Sequence, residues 1–278
     1  MKPHRRKKER VEEGESLRNA APEEAAPSAS EESRLWVVGT PIGNLEDITF
    51  RALRVLREAD LVAAEDTRRT GQLLSYYGIQ KPLVSYHRFN EASRLSGLLA
   101  SLREGKRVAL VSDAGMPGIS DPGERLLRRC LEEGIRVEVI PGPSSVLTAL
   151  VASGFATTPF YFGGFLPVKS GARRKEWEAA RERDCTSVYF ESPHRLRRSL
   201  EEAAAVLGNR RICLARELTK KFEEVLQGNA EGLLGEFQAR QPRGEFCVVV
   251  EGSEGTKSLP GRSGNSADPS LFRSDPVV

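Results

Sequence analysis

From residue 35 onward two apolar patterns alternate along the chain. Short continuous apolar runs, as in strands buried on both faces, fall at 35–38, 61–64, 83–85, 107–111 and 137–140. Between them, apolar residues three and four apart predict helices over 48–58, 68–77, 91–103, 124–133 and 144–152. A second series follows Gly154, with strands at 160–163, 187–190, 212–216 and 246–251. Its helices fall at 173–183, 195–207 and 230–238, with a further short segment at 223–227. Strands alternating with helices define an α/β protein whose parallel or mixed sheets are covered on both faces. The break near Gly154 predicts two αβα domains, 34–153 and 154–252, with a ligand site in the cleft between them.

Residues 1–33 carry Lys, Arg, Glu, Ala, Pro and Ser with hardly any large apolar side chain, and 253–278 are rich in Gly, Ser, Pro and Asp. Neither segment can bury enough surface to offset the entropy of ordering, so both are expected to be disordered tails. A formal net charge of +3 over 278 residues sets up no global field that demands a polyanionic partner. No apolar run approaches the eighteen or so residues of a membrane span, and no apolar stretch follows the basic start as in a secretory signal. Cys130, Cys185, Cys213 and Cys247 are dispersed without a CxxC pair. They read as buried small hydrophobes of a cytoplasmic protein rather than metal ligands or disulfides.

The chemistry lies in the loops that follow strands. Ser112 to Gly123 takes about twelve residues where chain reversal needs two to six, and it leaves the carboxyl end of a strand, where α/β sheets bind ligands. The loop from Gly39 to Ile48 has glycines for close backbone approach, with Asp47 placed to cap the next helix. It lacks GxxxxGK[ST] and GxGxxG, which argues against P-loop and dinucleotide chemistry. In Ala64–Thr70, Asp66 or Thr67 would cap a helix, and Arg68 or Arg69 could contact phosphate. His87 and Arg88 stand beside Tyr86 and Phe89, a mix suited to stacking on bases and pairing with phosphate. Ser144 and Ser145, after Pro-Gly-Pro, offer hydroxyls and free amides at a helix start. Glu191, His194 and Arg195 cluster at one strand end, and Arg216 to Glu224 begins at another.

The segments GTPIGNLEDIT, AEDTRRT, SYHRFNE, SDAGMPGISDPG, PGPSSV, FGGFLP, ESPHR and RELTKKFEE stand in the order found in the ribosomal RNA-methylating branch of the tetrapyrrole methylase superfamily. From about Leu35 to Gly252 the chain resembles that family. The resemblance implies a class III methyltransferase fold: two αβα domains, with S-adenosyl-L-methionine between them, commonly assembled as a homodimer. It implies 2'-O-methylation of cytidine 1402 in 16S rRNA of the small ribosomal subunit, without a metal. Carried over by motif, Pro41, Ser112, Asp113, Ala114, Gly115, Ile119, Ser120, Ser144 and Ser145 would contact the cofactor. Phe162 to Leu166 would cover it from the second domain. Asn44, Arg68, Arg69, His87, Arg88, Arg195, Arg216 and Lys220 would face RNA. A general base for the ribose hydroxyl is sought among Glu191, His194, Glu65 and Asp66, with His87 also in reach. Asp113 and Asp121 are expected to shape the loop and orient the cofactor.

Two features depart from the family pattern. Met116 stands where the family often has Thr, and a Gly/Ser/Pro tail replaces a helical C-terminal extension. Two other readings remain: a sister enzyme acting on a tetrapyrrole or a protein, and a non-catalytic RNA-binding relative. The Arg-rich loops and GTPIGNL count against the first; cofactor binding discriminates the second.

Overall fold

The computed structural model describes residues 33–238 and 240–253. The expected tails, apart from Ser33 and Ser253, lie outside the described residues. Strands β1 (Arg34–Val38), β2 (Leu61–Ala64), β3 (Leu83–Ser85), β4 (Arg107–Val111) and β5 (Arg136–Ile140) form an all-parallel sheet in the order β3-β2-β4-β1-β5. Side chains alternate across a strand, so Trp36 and Val38 face one core while Leu35 and Val37 face another. The first core is closed by α1 (Phe50–Glu58) and α2 (Thr67–Tyr76), the second by α3 (Glu91–Arg103) and α4 (Glu124–Glu132). Burial on both faces is why these strands read as unbroken apolar runs.

Asp66 caps α2, its Oδ1 accepting from Arg68 N at 2.8 Å. The cap expected from Asp47 is displaced. Leu45–Asp47 instead form a 3-10 turn capped by Asn44, and Thr49 Oγ1 accepts from Ala52 N at 3.0 Å to start α1 at Phe50. A Thr hydroxyl in extended backbone directly before the first turn makes the same bond with a shorter reach.

The second sheet runs β6 (Phe160–Phe165), β7 (Thr186–Glu191), β10 (Phe246–Val250), β8 (Ile212–Arg216), β9 (Glu224–Gly228). Only β6 and β7 pair parallel; the other neighbours are antiparallel. Helices α6 (Ser170–Glu182), α7 (Leu196–Leu207) and α8 (Ala230–Glu236) cover one face over Trp177, Tyr189, Phe237 and Phe246. The opposite face is covered by α5 (Ser145–Ala152), whose Val146, Ala149 and Leu150 pack on Val188, Cys213, Ala215, Cys247 and Val249. A division near Gly154 separates the two sheets, yet α5 lies before it in sequence and belongs to the core of the second. Ile42, from the loop after β1, joins the same cluster. Cys213 and Cys247 are buried there, and burial pushes both thiols up to about 12.

The loops after β1 and β5 touch backbone to backbone. A Cβ on Gly142 would lie 2.9 Å from the Cα and carbonyl of Gly39, and Gly39 N donates to Ile140 O at 3.1 Å. Gly142→Ala is therefore expected to destabilise the fold by about 1–3 kcal/mol through overpacking. Gly97→Ala, exposed in α3 with open space around it, should stabilise by about 0.5–1 kcal/mol. Urea denaturation of both variants checks the contrast, and wild-type stability in Gly142→Ala would contradict the close approach.

Candidate active site

Parallel strands aim their carboxyl ends the same way, so the loops after β1, β2, β4 and β5 gather at one edge of the first sheet. Thr40 and Gly115 form an antiparallel bridge: Thr40 N donates to Gly115 O at 2.9 Å, and Gly115 N to Thr40 O at 3.1 Å. The buried Thr40 hydroxyl adds a bond to Ser112 O at 3.2 Å. Gly115, at φ +80°, makes this possible without strain, whereas Ser120 adopts φ +63° with a side chain. On the other side the β1 loop presses on the second half of the chain. A Cβ on Gly43 would lie 2.4 Å from Lys220 Cγ and 2.8 Å from Leu218 O.

Two cavities flank this seam. The first, of about 380 Å³, has apolar walls from Ile42, Met116, Val146, Phe165, Phe190 and Leu218, with Ser144, Ser145 and Asp121 as polar points. The second, of about 440 Å³, is lined by Thr40, Pro41, Gly43, Arg69, Tyr76, Ser112, Asp113 and Lys220 among others. Ile42, Ala114 and Glu245 belong to both and form the partition. Apolar walls with a few convergent polar groups are what a drug-sized ligand such as S-adenosyl-L-methionine requires, so the first cavity fits that cofactor.

Of the expected cofactor residues, Ala114, Gly115, Ile119, Ser144 and Ser145 line the first cavity. Pro41, Ser112 and Asp113 line the second, as does Ala114. Ser120, Phe162 and Leu166 are in neither lining. Ser120 is exposed, Phe162 packs edge-on to Phe190 at 5.1 Å, and Leu166 is sealed in the core. A register shift between Phe162 and Phe165, at Gly163 and Gly164, brings Phe165 to the cavity instead. Gly163 lies against the Tyr189 ring, where a Cβ would be 2.5 Å away.

The carboxylates divide by their partners. Glu191 lines the first cavity but is largely buried: it accepts from Ser192 N at 2.7 Å and from Ser199 Oγ, and pairs with Arg195 at 2.6 Å. Asp66 receives both the Arg68 amide and guanidinium, which hold its carboxyl well below the usual range. Glu65 has one long bond, Asp113 N to its Oε2 at 3.3 Å; burial first, then the charge of Asp113, raises its pKa. Asp113 in turn accepts from Asp66 N at 3.0 Å and lies 3.6 Å from Arg69. Burial and then the charge of Glu65 push Asp121 up to about 7, against a hydrogen bond from Ser112. His194 is exposed, and His87 Nδ1 accepts from Phe89 N at 3.2 Å.

The basic residues divide in the same way. Arg195 also donates to Leu166 O at 3.0 Å. Arg216 donates to Arg243 O at 2.6 Å and pairs with Glu224 at 3.6 Å. Lys220 Nζ bridges Glu217 and Glu245, each at 2.9 Å. These three tie the second half together. Asn44 is a cap, accepting from Glu46 N at 3.0 Å. Arg68, Arg69 and Arg88 are exposed, and Arg88 has no ion pair among the described residues. Glu245 was not singled out from sequence, whereas Asp121 and, within Phe162 to Leu166, Phe165 were expected beside the cofactor, and both line the first cavity. Asp121 lies within the long loop, but only the left-handed turn at Ser120 and the neighbouring Glu65 give it this environment.

A cofactor-sized cavity at the carboxyl ends of a parallel sheet, closed by a second sheet, defines a small-molecule-dependent α/β enzyme. The family of Tetrapyrrole (Corrin/Porphyrin) Methylases matches residues 34–234, and the chain belongs to it. It is similar to ribosomal RNA small subunit methyltransferase I of Halalkalibacterium halodurans, with 48% identity over 219 residues, 79% of this chain and 76% of that one. Against the protein of the same name from Thermotoga maritima, identity is 47% over 221 residues, 80% of this chain and 99% of that one. In fold it is similar to uroporphyrin-III-C-methyltransferase from Thermus thermophilus, at a TM-score of 0.56 and 24% identity, covering 83% of this chain and 100% of that one. A cobalt precorrin-4 methyltransferase gives 0.60 and 18%, covering 79% and 95%. The two-sheet architecture is the class III methyltransferase fold.

A raised aspartate makes the folded state hold a proton that the unfolded chain releases. Stability therefore falls as pH rises from about 4 towards 7 through this group. Asp121→Asn should raise Tm at pH 8 and give no comparable gain at pH 4. A Tm difference independent of pH would contradict the buried, raised carboxyl.

Proposed function

We propose that this chain transfers the methyl group of S-adenosyl-L-methionine to the 2'-oxygen of cytidine 1402 in 16S rRNA of the small ribosomal subunit, acting in the cytoplasm as a homodimer. The reading is carried by the two adjoining cavities: an apolar, serine-tipped one for the cofactor beside one edged by Arg69 and Lys220 for the acceptor. Relatives at 47–48% identity, named as small-subunit rRNA methyltransferases, support the substrate.

When bound, the cofactor supplies a sulfonium-activated methyl group. Ala114, Gly115, Ile119, Ser144 and Ser145 would hold it, with hydroxyls and the free amides of the first turn of α5 as donors. Ile42, Met116, Phe165 and Phe190 exclude water from the reacting face. Holding the acceptor in line removes much of the entropic part of the barrier.

A ribose hydroxyl is a poor nucleophile, and a positioned base adds roughly 10²–10⁴ in rate. Glu191, saturated by Arg195, Ser192 and Ser199, serves better as the anchor of the β7–α7 turn. Asp66 is equally occupied as the α2 cap. The proton acceptor is then Asp121 on the wall of the first cavity or Glu65 beside it, which bonds to Asp113 N at the edge of the second. Asp121, pushed up to about 7 by burial and the charge of Glu65, matches a base working near neutrality. Arg69 and Arg88 meet the RNA backbone, which makes binding salt-sensitive.

With tritiated cofactor and small subunits lacking the modification, label should appear on the cytidine ribose as a 2'-O-methyl group, which blocks alkaline cleavage there. Label on a base, or on no RNA, would overturn the assignment. The base must be ionised to act, so kcat should fall as pH drops below about 7. Glu65→Gln should lower kcat by about 10²-fold or more while leaving cofactor affinity intact. An unchanged kcat would remove Glu65 from the mechanism.

A further inference from the structure

We infer that the second cavity takes the acceptor nucleoside itself, turned out of the RNA chain, and that the exposed face of α2 reads its base. This rests on the RNA 2'-O-methylation reading above. Arg69, Gln72, Leu73 and Tyr76 stand at i, i+3, i+4 and i+7, so they share one side of the helix, and all four line the cavity. Thr70, buried at the edge of that side, also lines the cavity, whereas Leu74 is buried in the core beneath the helix. The cavity, at about 440 Å³, is within the size range of small-molecule sites. It abuts the cofactor cavity through Ile42 and Ala114, so a ribose entering it faces that partition.

The residues on this helix face suit a nucleoside. Tyr76 lines the cavity and is 65% exposed. It is held rather than loose: Tyr77 packs edge-on to it at 4.9 Å, and the Tyr77 hydroxyl donates to Leu45 O, another lining residue. A fixed, exposed aromatic ring offers a surface on which a base stacks. Gln72 is exposed, and its amide makes no hydrogen bond among the described residues. That amide carries both a donor and an acceptor for a pyrimidine edge. Arg69, largely exposed and 3.6 Å from Asp113, can take the attached phosphate. A base still stacked in a helix cannot enter a cavity of this kind, so the nucleotide must be unstacked or already single-stranded.

The test uses the full chain, tritiated S-adenosyl-L-methionine, unmethylated small subunits, and the same particles with the acceptor cytidine changed to uridine. Tyr76→Ala should raise KM for the particle about tenfold or more, with Tyr76→Phe close to wild type. Gln72→Leu should narrow the preference for cytidine over uridine. Cofactor affinity, measured by calorimetry, should be unchanged in all three, which also shows that they fold. Wild-type KM in Tyr76→Ala together with undiminished discrimination in Gln72→Leu would overturn the pocket assignment while leaving the methylation reading standing. Failure of the wild-type chain to label any RNA would instead remove the methylation reading on which the pocket rests.

Discussion

Close approach between loop backbones is the constraint on which the rest of this molecule depends. Gly39 lies against Gly142, Thr40 is bridged to Gly115, and Gly43 is pressed onto Leu218–Lys220. A side chain at Gly39, Gly43 or Gly142 would force neighbouring loops apart. Because they meet, the two cavities share a partition only a few side chains thick, and ligands held on its two sides would be brought together by the fold itself. Ile42 belongs at once to this partition and to the core between α5 and the second sheet. The geometry of the seam is thereby tied to the stability of the packing beneath it.

Charge is distributed with the same economy. Most carboxylates near the cleft are occupied: Glu191 by Arg195, Asp66 by Arg68, and Glu217 and Glu245 by Lys220. Occupied groups hold loops in place. Glu65 and Asp121 are the exception, half-buried and in no ion pair among the described residues, with the charge of Glu65 raising Asp121. Leaving two acids short of partners costs stability and raises both carboxyls, Asp121 to about 7.

Much of the architecture was legible in the sequence because its signals are local. Both-face burial writes strands such as Arg107–Val111 as continuous apolar runs, and Asp66 before Thr67 announces a helix start. What was not legible depends on contacts across long separations. The packing of α5 on the second sheet follows from Val146 and Leu150 meeting Val249 and Cys213, about a hundred and about sixty residues away in sequence. The preference for Phe165 over Phe162 at the cavity depends on a bulge where Gly163 lies against the Tyr189 ring and Gly164 adopts φ +65° beside Ser120. The loops that carry the site were visible as motifs, but the motif strings do not say which carboxylate is already spoken for. Glu191, Arg195 and Arg216 stand at strand ends as functional residues often do, and there Glu191 pairs with Arg195 while Arg216 meets Arg243 O and Glu224.

The position of α5 also bears on how the chain reaches its native state. Its eight residues are joined directly to β5 by the Pro-Gly-Pro turn, but their apolar side chains complete the core of the other sheet. Neither sheet is then a self-sufficient folding unit: cut at Gly154, the second would expose Val188, Cys213 and Val249, and the first would carry an uncovered apolar helix. Two lobes that look separable by strand order thus form one cooperative unit, with the ligand cleft lying along the joint that couples them.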